Sequence, residues 1–263
     1  MVYHRLLVPP VTGLSPVAAL PSPVLDHVLD LYLTTPSPCG YVPGRESAAV
    51  VADPGRMIDS PLYGVLLDRG FRRSGRAFYR PQCPGCMACV PVRVPVDQFA
   101  PSRSQRRVWR ANEALHVVAR EPAFDEVHYQ LFRRYQRDHH GDTMQLVHEG
   151  EDLRTGYSRF LVESPVATRF YEYHLGERLV GVGVVDHLPQ GLSTVYFFFD
   201  PAERRRSLGT YSVLWEIAET RHLGLPYYYL GYWIHECRKM AYKATFRPLE
   251  YLVDGQWQAE PPG

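Results

Sequence analysis

Four of the five cysteines in this 263-residue chain share one arrangement: Cys39 in Pro38-Cys39-Gly40-Tyr41, then Cys83, Cys86 and Cys89 at two-residue intervals. Thiolates spaced in this way can be turned by the intervening backbone to face one cation or one cluster. Cys39, Cys83, Cys86 and Cys89 supply the four ligands that a closed tetrahedral zinc site or a cubane iron-sulfur cluster takes, and the spacing does not separate the two. It also leaves open a third reading, small buried thiols with no metal. A four-thiolate site has no vacant coordination position, so a metal held there would serve structure or redox sensing and not Lewis-acid catalysis. Cys237, far from these four in sequence, is expected to be a packed thiol.

A second group suits anions. The run from Asp200 through Arg204, Arg205 and Arg206 to Gly209 follows a strand-like stretch and opens a helix-like one. Arg204, Arg206, Gly209 and the first-turn amides therefore offer a phosphate cradle, although an ordinary capped helix accounts for the same residues. Lysines and arginines number 29 against 28 aspartates and glutamates, so bulk charge gives no attraction for nucleic acid and its distribution has to decide. Arginines gather at Arg69, Arg72, Arg73 and Arg76, at Arg103, Arg106, Arg107 and Arg110, at Arg133, Arg134 and Arg137, and at Arg204 to Arg206. Patches of this kind can follow phosphates on a nearly neutral protein. Trp109 is placed either to stack on a base or simply to pack, and His139 and His140 precede Gly141 as a helix C-terminal cap.

These residues need a scaffold, and a hydrophobic fraction of 45% is ample to bury one. The expected class is α+β. Residues 1–36 read as a proline-spotted extension, with an amphipathic stretch near 24–33. A smaller cysteine-bearing α+β domain is expected over 37–103, with a strand near Ala48–Ala52, a helix from Ser60 to Arg69 capped by Asp59 or Ser60, and a hairpin ending at Arg80. A connecting helix is expected over 104–123, because Arg103, Arg106, Arg107 and Arg110 fall at helical spacing. The larger domain, 124–255, begins with a helix over Glu126 to His139, while Thr143 to Pro165 reads as helix or loop. Three strands at alternating period follow, Thr168 to His174, Arg178 to His187 and Ser193 to Phe199, then a helix from Ser207 to His222 and a strand from Tyr227 to Leu230. That order is shared with acetyltransferases, so the larger domain is expected to be acetyltransferase-like (GNAT-type) with a mixed, largely antiparallel sheet, and 256–263 a tail. Nothing in the chain reads as a membrane span or a secretory signal, which points to a cytoplasmic protein without membrane partners.

The stretch Leu230 to Glu250, containing Gly231-Tyr232-Trp233-Ile234-His235-Glu236-Cys237-Arg238-Lys239-Met240-Ala241-Tyr242-Lys243, is the most specific in the chain. With Asp200-Pro201, Ser207 to Ser212, Cys39 to Tyr41, Gly70 to Gly75, Tyr79 to Pro81 and Phe99 to Arg103, it resembles the aminoacyl-tRNA:protein transferases of the N-degron pathway. The resemblance runs from about Cys39 to Leu252. The cysteine triplet is similar to the bacterial aspartate/glutamate leucyltransferase branch. Val42 stands where the eukaryotic pattern has a second thiol, and the triplet replaces an adjacent pair.

The resemblance implies transfer of an aminoacyl group, leucine by preference and arginine as the alternative, from the 3′ end of tRNA to proteins beginning with Asp or Glu. The chemistry asks little of a base, since an α-amine with a reference pKa of about 8 is roughly one-tenth neutral near pH 7. Alignment of amine and ester should dominate, and no cofactor is required. Asp200 becomes the first candidate to orient or deprotonate the amine, and Tyr211, Tyr232 and Tyr242 candidate donors to the ester or ribose. Lys239, Lys243 and Arg247 would attract the acceptor's acidic side chain or terminal phosphates, and Arg103, Arg106, Arg107 and Arg110 the tRNA backbone. An acyl-CoA-dependent N-acyltransferase and a non-catalytic metal-bearing RNA-binding protein are the rival readings.

Overall fold

The computed structural model describes residues 15–16, 29–140 and 152–262. Its first part comprises β1 (Ser15–Pro16), β2 (Leu31–Leu33), β3 (Ser37–Pro38), β4 (Glu46–Ser47), β5 (Ala49–Ala52), α1 (Ser60–Asp68), β6 (Arg72–Ser74) and β7 (Ala77–Pro81). The strands form a five-stranded sheet in the order β1-β2-β5-β7-β6 and a separate β3-β4 pair. Helix α1 starts where its sequence says it should. Asp59 accepts the Leu62 N–H at 2.9 Å, and Pro61 sits in the first turn, where no amide is needed. Tyr63, Leu66 and Leu67 of α1 pack with Val50, Phe71 and Phe78 into one apolar cluster. The expected stretch at 24–33 is described only at its end, which is β2; its beginning lies outside the described residues.

The second part continues with β8 (Val90–Pro95), α2 (Arg103–Ala111), β9 (Leu115–Arg120), α3 (Glu126–His140), α4 (Leu153–Tyr157), a π-helical turn Ser158–Val162, β10 (Thr168–Leu175), β11 (Arg178–Leu188) and β12 (Gly191–Phe199). After a 3-10 turn, Pro201–Arg206, come α5 (Leu208–His222), β13 (Tyr227–Trp233), α6 (Arg238–Ala241), a second 3-10 turn Tyr242–Thr245, β14 (Glu250–Val253) and β15 (Gln256–Gln258). Eight strands make one sheet in the order β15-β14-β8-β13-β12-β11-β10-β9, and only β12 and β13 run parallel. The α+β expectation and the mixed, largely antiparallel sheet are therefore found. The meander and α5 lie where the period of the sequence places them. Of the stretch 143–165, residues 143–151 lie outside the described residues and the rest is largely helical.

Three expected boundaries need correction. The connecting helix over 104–123 ends at Ala111. Asn112 closes it, its side-chain amide donating to Val108 O at 2.9 Å and across to Arg206 O at 2.8 Å, and the valine-bearing Leu115–Arg120 then joins β10 as the edge strand β9. Strand β8, expected inside the smaller domain of 37–103, lies in the large sheet between β14 and β13. There Arg93 donates to Glu250 of β14 at 2.7 Å and to Asp68 of α1 at 3.1 Å. Finally, β15 extends the large sheet into the expected tail of 256–263, pairing with β14.

Helices α3 and α5 bury their apolar sides with Tyr228 and Leu230 of β13 in the main core, while Tyr229 points to the opposite face and the α1 cluster. Two departures from regularity fall together in the middle of the sheet. The pairing of β12 with β13 covers only Gly191–Ser193 against Tyr227–Tyr229, and among the described residues no further ladder joins them. At that level each strand is also bulged, β12 at Val195 against β11 and β13 at Leu230 against β8. The two strands thus part as a fork, and bulges at such points re-aim backbone and side chains.

Candidate active site at the strand fork

Two cationic side chains close the fork. Arg72, from β6 of the smaller sheet, donates to the carbonyl of Thr194 on β12. Lys243, from the turn after α6, donates through Nζ to the carbonyl of Tyr232 on β13 at 2.6 Å, with Met240 Sδ 3.8 Å away. Between them is Gly231, at φ +85°, where a Cβ would stand 3.5 Å from Lys243 Nζ and 3.6 Å from Arg72 Nη2. A side chain here would be strained by its backbone, and its Cβ would touch both groups. Lys243 is only 1% exposed. Burial first, and then the charge of Arg72, hold its amine well below the ordinary lysine range.

The neighbouring cation is fully paired. Arg73 grips both carboxylate oxygens of Asp186 on β11 at 2.8 and 2.7 Å, and Thr168 of β10 donates to the same carboxylate at 2.7 Å. This bidentate pair is completely buried and fixes β6, and with it Arg72, against the large sheet. Arg72 and Arg73 were expected, with Arg69 and Arg76, to form a phosphate-tracking surface; at 6% and 4% exposure they are interior residues instead. Both are buried because β6, the outer strand of the smaller sheet, meets the large sheet, where Arg72 reaches Thr194 and Arg73 reaches Asp186.

On the other face, beneath β12, sits Glu216 of α5. Its carboxylate accepts the Tyr228 hydroxyl at 2.5 Å, and a Cβ at Gly183 would approach it to 3.0 Å, so the glycine makes room for the acid. Burial pushes Glu216 up to about 8, leaving it protonated near neutrality. Neither Glu216 nor Asp186 was singled out in the sequence. The available signal was a lone carboxylate inside an apolar run, Leu214-Trp215-Glu216-Ile217 and Val184-Val185-Asp186 respectively.

The other expected site residues fall into two groups. Tyr232 is beside Lys243, but its hydroxyl is directed to Gly70 O at 2.9 Å and Tyr79 O at 3.4 Å, tying β13 to the smaller sheet. Tyr242 is half-buried with its ring 6.3 Å from Phe246, and Lys239 and Arg247 are exposed on the same segment, Arg247 Nε donating to Ala244 O at 3.1 Å. The second group surrounds the turn Pro201–Arg206. Asp200 caps that turn by accepting the Ala202 N–H at 3.0 Å and accepts from Arg178 at 3.0 Å. Arg206 donates to Glu203 at 2.7 Å and to Ala111 O of α2 at 3.0 Å, and Arg204 pairs with Asp138 of α3. Gly209 lies buried in the first turn of α5, and Tyr211 packs against Trp109 of α2 at 5.5 Å. Arg103, Arg106, Arg107 and Arg110 stand exposed along α2. His139 is stacked on Tyr135 at 4.2 Å.

The cysteines come together, yet not as a metal centre. Cys39 Sγ accepts the N–H groups of Tyr41 and Val42 at 3.4 Å, Cys83 donates to Ala48 O at 3.5 Å, and Arg45 reaches Cys86 Sγ at 3.3 Å. All five thiols are free, and burial pushes Cys89 up to about 12. Among the described residues no three Cys, His, Asp or Glu side chains converge closely enough to hold a metal ion. The zinc or iron-sulfur expectation for Cys39, Cys83, Cys86 and Cys89 is therefore not supported by the geometry, because x2 spacing sets how sulfurs can turn and not how close they come. Cys237 is the packed thiol expected of it, buried with Tyr232, Ile234 and Met240 and with Cys39 and Cys89 against them. No helix among the described residues is long and apolar enough to cross a membrane.

Comparison with known proteins covers both parts of the chain. The family described as arginine-tRNA-protein transferase, C terminus, matches residues 127–253, and its N-terminus counterpart matches residues 37–107. A Chromobacterium violaceum protein called aspartate/glutamate leucyltransferase is 47% identical over 236 residues, which cover 89% of this chain and 96% of that one. A Pseudomonas aeruginosa protein with the same designation is 45% identical over 231 residues, 88% of this chain and 97% of its own. Among solved structures, L-PGS from Bacillus licheniformis superimposes with a TM-score of 0.41 at 12% identity, over 65% of this chain and 51% of that one.

Proposed function

The chain belongs to the arginine-tRNA-protein transferase family, and from that premise we propose that it moves leucine from leucyl-tRNA to the amino terminus of proteins beginning with aspartate or glutamate, marking them for degradation. The observation that carries the siting is the fork, where two bulged strands part and a buried lysine amine and a guanidinium meet at Gly231. A gap of that kind after a meander and before a helix-to-strand crossover also favours the acetyltransferase-like reading of the larger part.

In the proposed reaction the acceptor's α-amine attacks the carbonyl carbon of the leucyl ester. The new C–N bond forms first and leaves an oxyanion on the carbonyl oxygen; its collapse then breaks the C–O bond to the terminal ribose, and the proton leaving nitrogen ends on the ribose oxygen. Lys243, whose burial favours loss of its own proton, relays that proton, and the fixed charge of Arg72 stabilises the oxyanion that forms between the two steps. Asp200 has its carboxylate committed to Ala202 and Arg178, and its part is to fix the turn that carries Arg204 and Arg206. Lys239 and Arg247, exposed on the segment leading to and from Lys243, are the cations proposed for the acceptor's first carboxylate. Arg103, Arg106, Arg107 and Arg110, with Arg204 and Arg206 beyond them, are proposed for the tRNA backbone. The transfer so written uses no cofactor and belongs to the cytoplasm, where charged tRNA is found.

The test supplies labelled leucyl-tRNA and arginyl-tRNA separately to peptides beginning with Asp, Glu or Ala. Label from leucyl-tRNA in the Asp and Glu peptides alone is expected. Transfer from arginyl-tRNA only, or equal labelling of the Ala peptide, sinks the proposal.

A further inference from the structure

Between α2 and α5 lies a cavity of about 300 Å³. Its floor is apolar and aromatic, from Phe99, Trp109, Leu214 and Ile217, and Arg106 and Arg110 stand at its rim. The volume is at the small end for a ligand pocket, enough for one flat heterocycle and too little for a duplex. Trp109 rests partly on Tyr211, at 5.5 Å and a 45° tilt, and remains 37% exposed, the only one of the four tryptophans in the exposed class. An indole left open in this way, beside guanidinium groups, is the pattern of a base-stacking platform.

The helix that carries it divides its faces cleanly. Gln105 and Asn112 are buried and bolt α2 down, Gln105 donating to Thr245 O at 3.1 Å and Asn112 to Arg206 O. Thr245 is two residues from Lys243, so one bolt ties α2 to the segment that carries Lys243 and the other to the turn that follows β12. Arg103, Arg107 and Arg110, at i, i+4 and i+7, make an exposed stripe beside the cavity mouth, and Arg110 belongs to both. Of the remaining cations, Arg221 is committed to the carbonyls of Val96 and Phe99, and Arg106 to that of Pro101. Glu113, also on the rim, is an acceptor in an otherwise cationic mouth. A carboxylate there suits a base with an exocyclic amino group, which cytosine, adenine and guanine have, and penalises uracil. The unpaired 3′ end of every tRNA, CCA, is made only of such bases.

We propose that the α2–α5 cavity receives one unpaired base of the tRNA acceptor end, stacked on Trp109, with the adjoining phosphates along Arg103, Arg107 and Arg110. The inference rests on the aminoacyl-tRNA reading above and adds to it the place where the RNA is gripped. A base anchored on α2 sets how far the terminal ester reaches toward Lys243, so the cavity acts on tRNA binding and not on the proton transfer.

The experiment pairs kinetics with direct binding. In Trp109→Ala, and in Ala218→Phe, which fills the cavity while leaving Trp109 in place, KM for leucyl-tRNA should rise on the order of tenfold. KM for the acceptor peptide should not change, and each variant should remain folded at the assay temperature. A CCA trinucleotide should quench tryptophan emission in the full-length protein and not in Trp109→Ala, UUU should quench less, and Glu113→Gln should narrow the difference between them. Unchanged leucyl-tRNA KM in both cavity variants overturns the inference. So does a rise in peptide KM instead, or an altered preference between leucyl- and phenylalanyl-tRNA, either of which gives the cavity to another part of the substrates. If the wild-type protein transfers no amino acid yet CCA quenches Trp109, the functional reading fails and the base site stands. Normal transfer without quenching has the reverse meaning.

Discussion

At the fork, Lys243 and Arg72 are shut away from water and each is held by a backbone carbonyl, whereas on α2 Arg103, Arg107 and Arg110 stand in solvent. The two places carry the same kinds of side chain and differ in what surrounds them. Burial changes what a cation is: it lowers the hold of Lys243 on its proton and gives Arg72 a fixed direction, properties suited to a reacting group. Exposure preserves the charge and lets the side chain follow a flexible polyanion, at the cost of screening by salt. The same kinds of polar residue thus acquire different properties because the fold sorts them, and the proposed division of chemistry from capture rests on that sorting.

The comparison can be broken most directly at Lys243. Lys243→Met should lower kcat by roughly 10²- to 10⁴-fold with little change in KM for leucyl-tRNA, and Lys243→Arg should not rescue it, because a permanent charge cannot take a proton. Equal kcat in wild type and Lys243→Met, by single-turnover label transfer, would place proton transfer elsewhere. Next comes the buried pair behind the fork. Arg73→Ala strands Asp186 and should cost about 3–5 kcal/mol in urea denaturation, far more than any single α2 arginine.

On the exposed side the effects are smaller and of another kind. Removing Arg103, Arg107 or Arg110 should weaken tRNA binding a few-fold each and reduce the slope of log K against log salt by about 0.7–0.9 per residue, with kcat retained at saturating tRNA. A kcat effect without a salt effect would erase the distinction. Glu216 sharpens it through pH. Its carboxyl, raised from the ordinary 4.5 to about 8, holds a proton in the fold that the unfolded chain releases. Its contribution is complete below pH 4.5 and is lost as pH rises toward 8, so the melting midpoint of wild type should fall across that window relative to Glu216→Gln. Smallest of all, Arg204→Ala opens a partly solvated pair with Asp138 and should alter stability by no more than about 1 kcal/mol.

Much of this scaffold could be read in advance. Asp59 and Pro61 announce α1, and the period-two runs around Gly176 and Gly191 announce the meander, because caps and turns are local chemistry. What escaped was non-local. Arg72 reads as one more surface arginine until β6 is known to meet the large sheet, and Glu216 reads as an ordinary helix acid until Gly183 is known to make room for it. The basic spacing that gave α2 carries no notice of its end, which depends on Asn112 reaching Arg206 across the fold. The clustering of Cys39, Cys83, Cys86 and Cys89 could be foreseen from spacing, but their mutual distances could not.

Strand β8 is encoded before α2 and is used between β14 and β13, whose residues come more than a hundred positions later. The central sheet is therefore a zip whose middle tooth is made first and whose flanks are made last. On the ribosome, nascent chain up to β12 has nothing to lay against that strand, and closure waits for the final segment to emerge. Two fragments divided in the 141–151 stretch should each be poorly structured alone and regain transfer activity only when mixed, so the two halves of this protein are inherited as one folding unit.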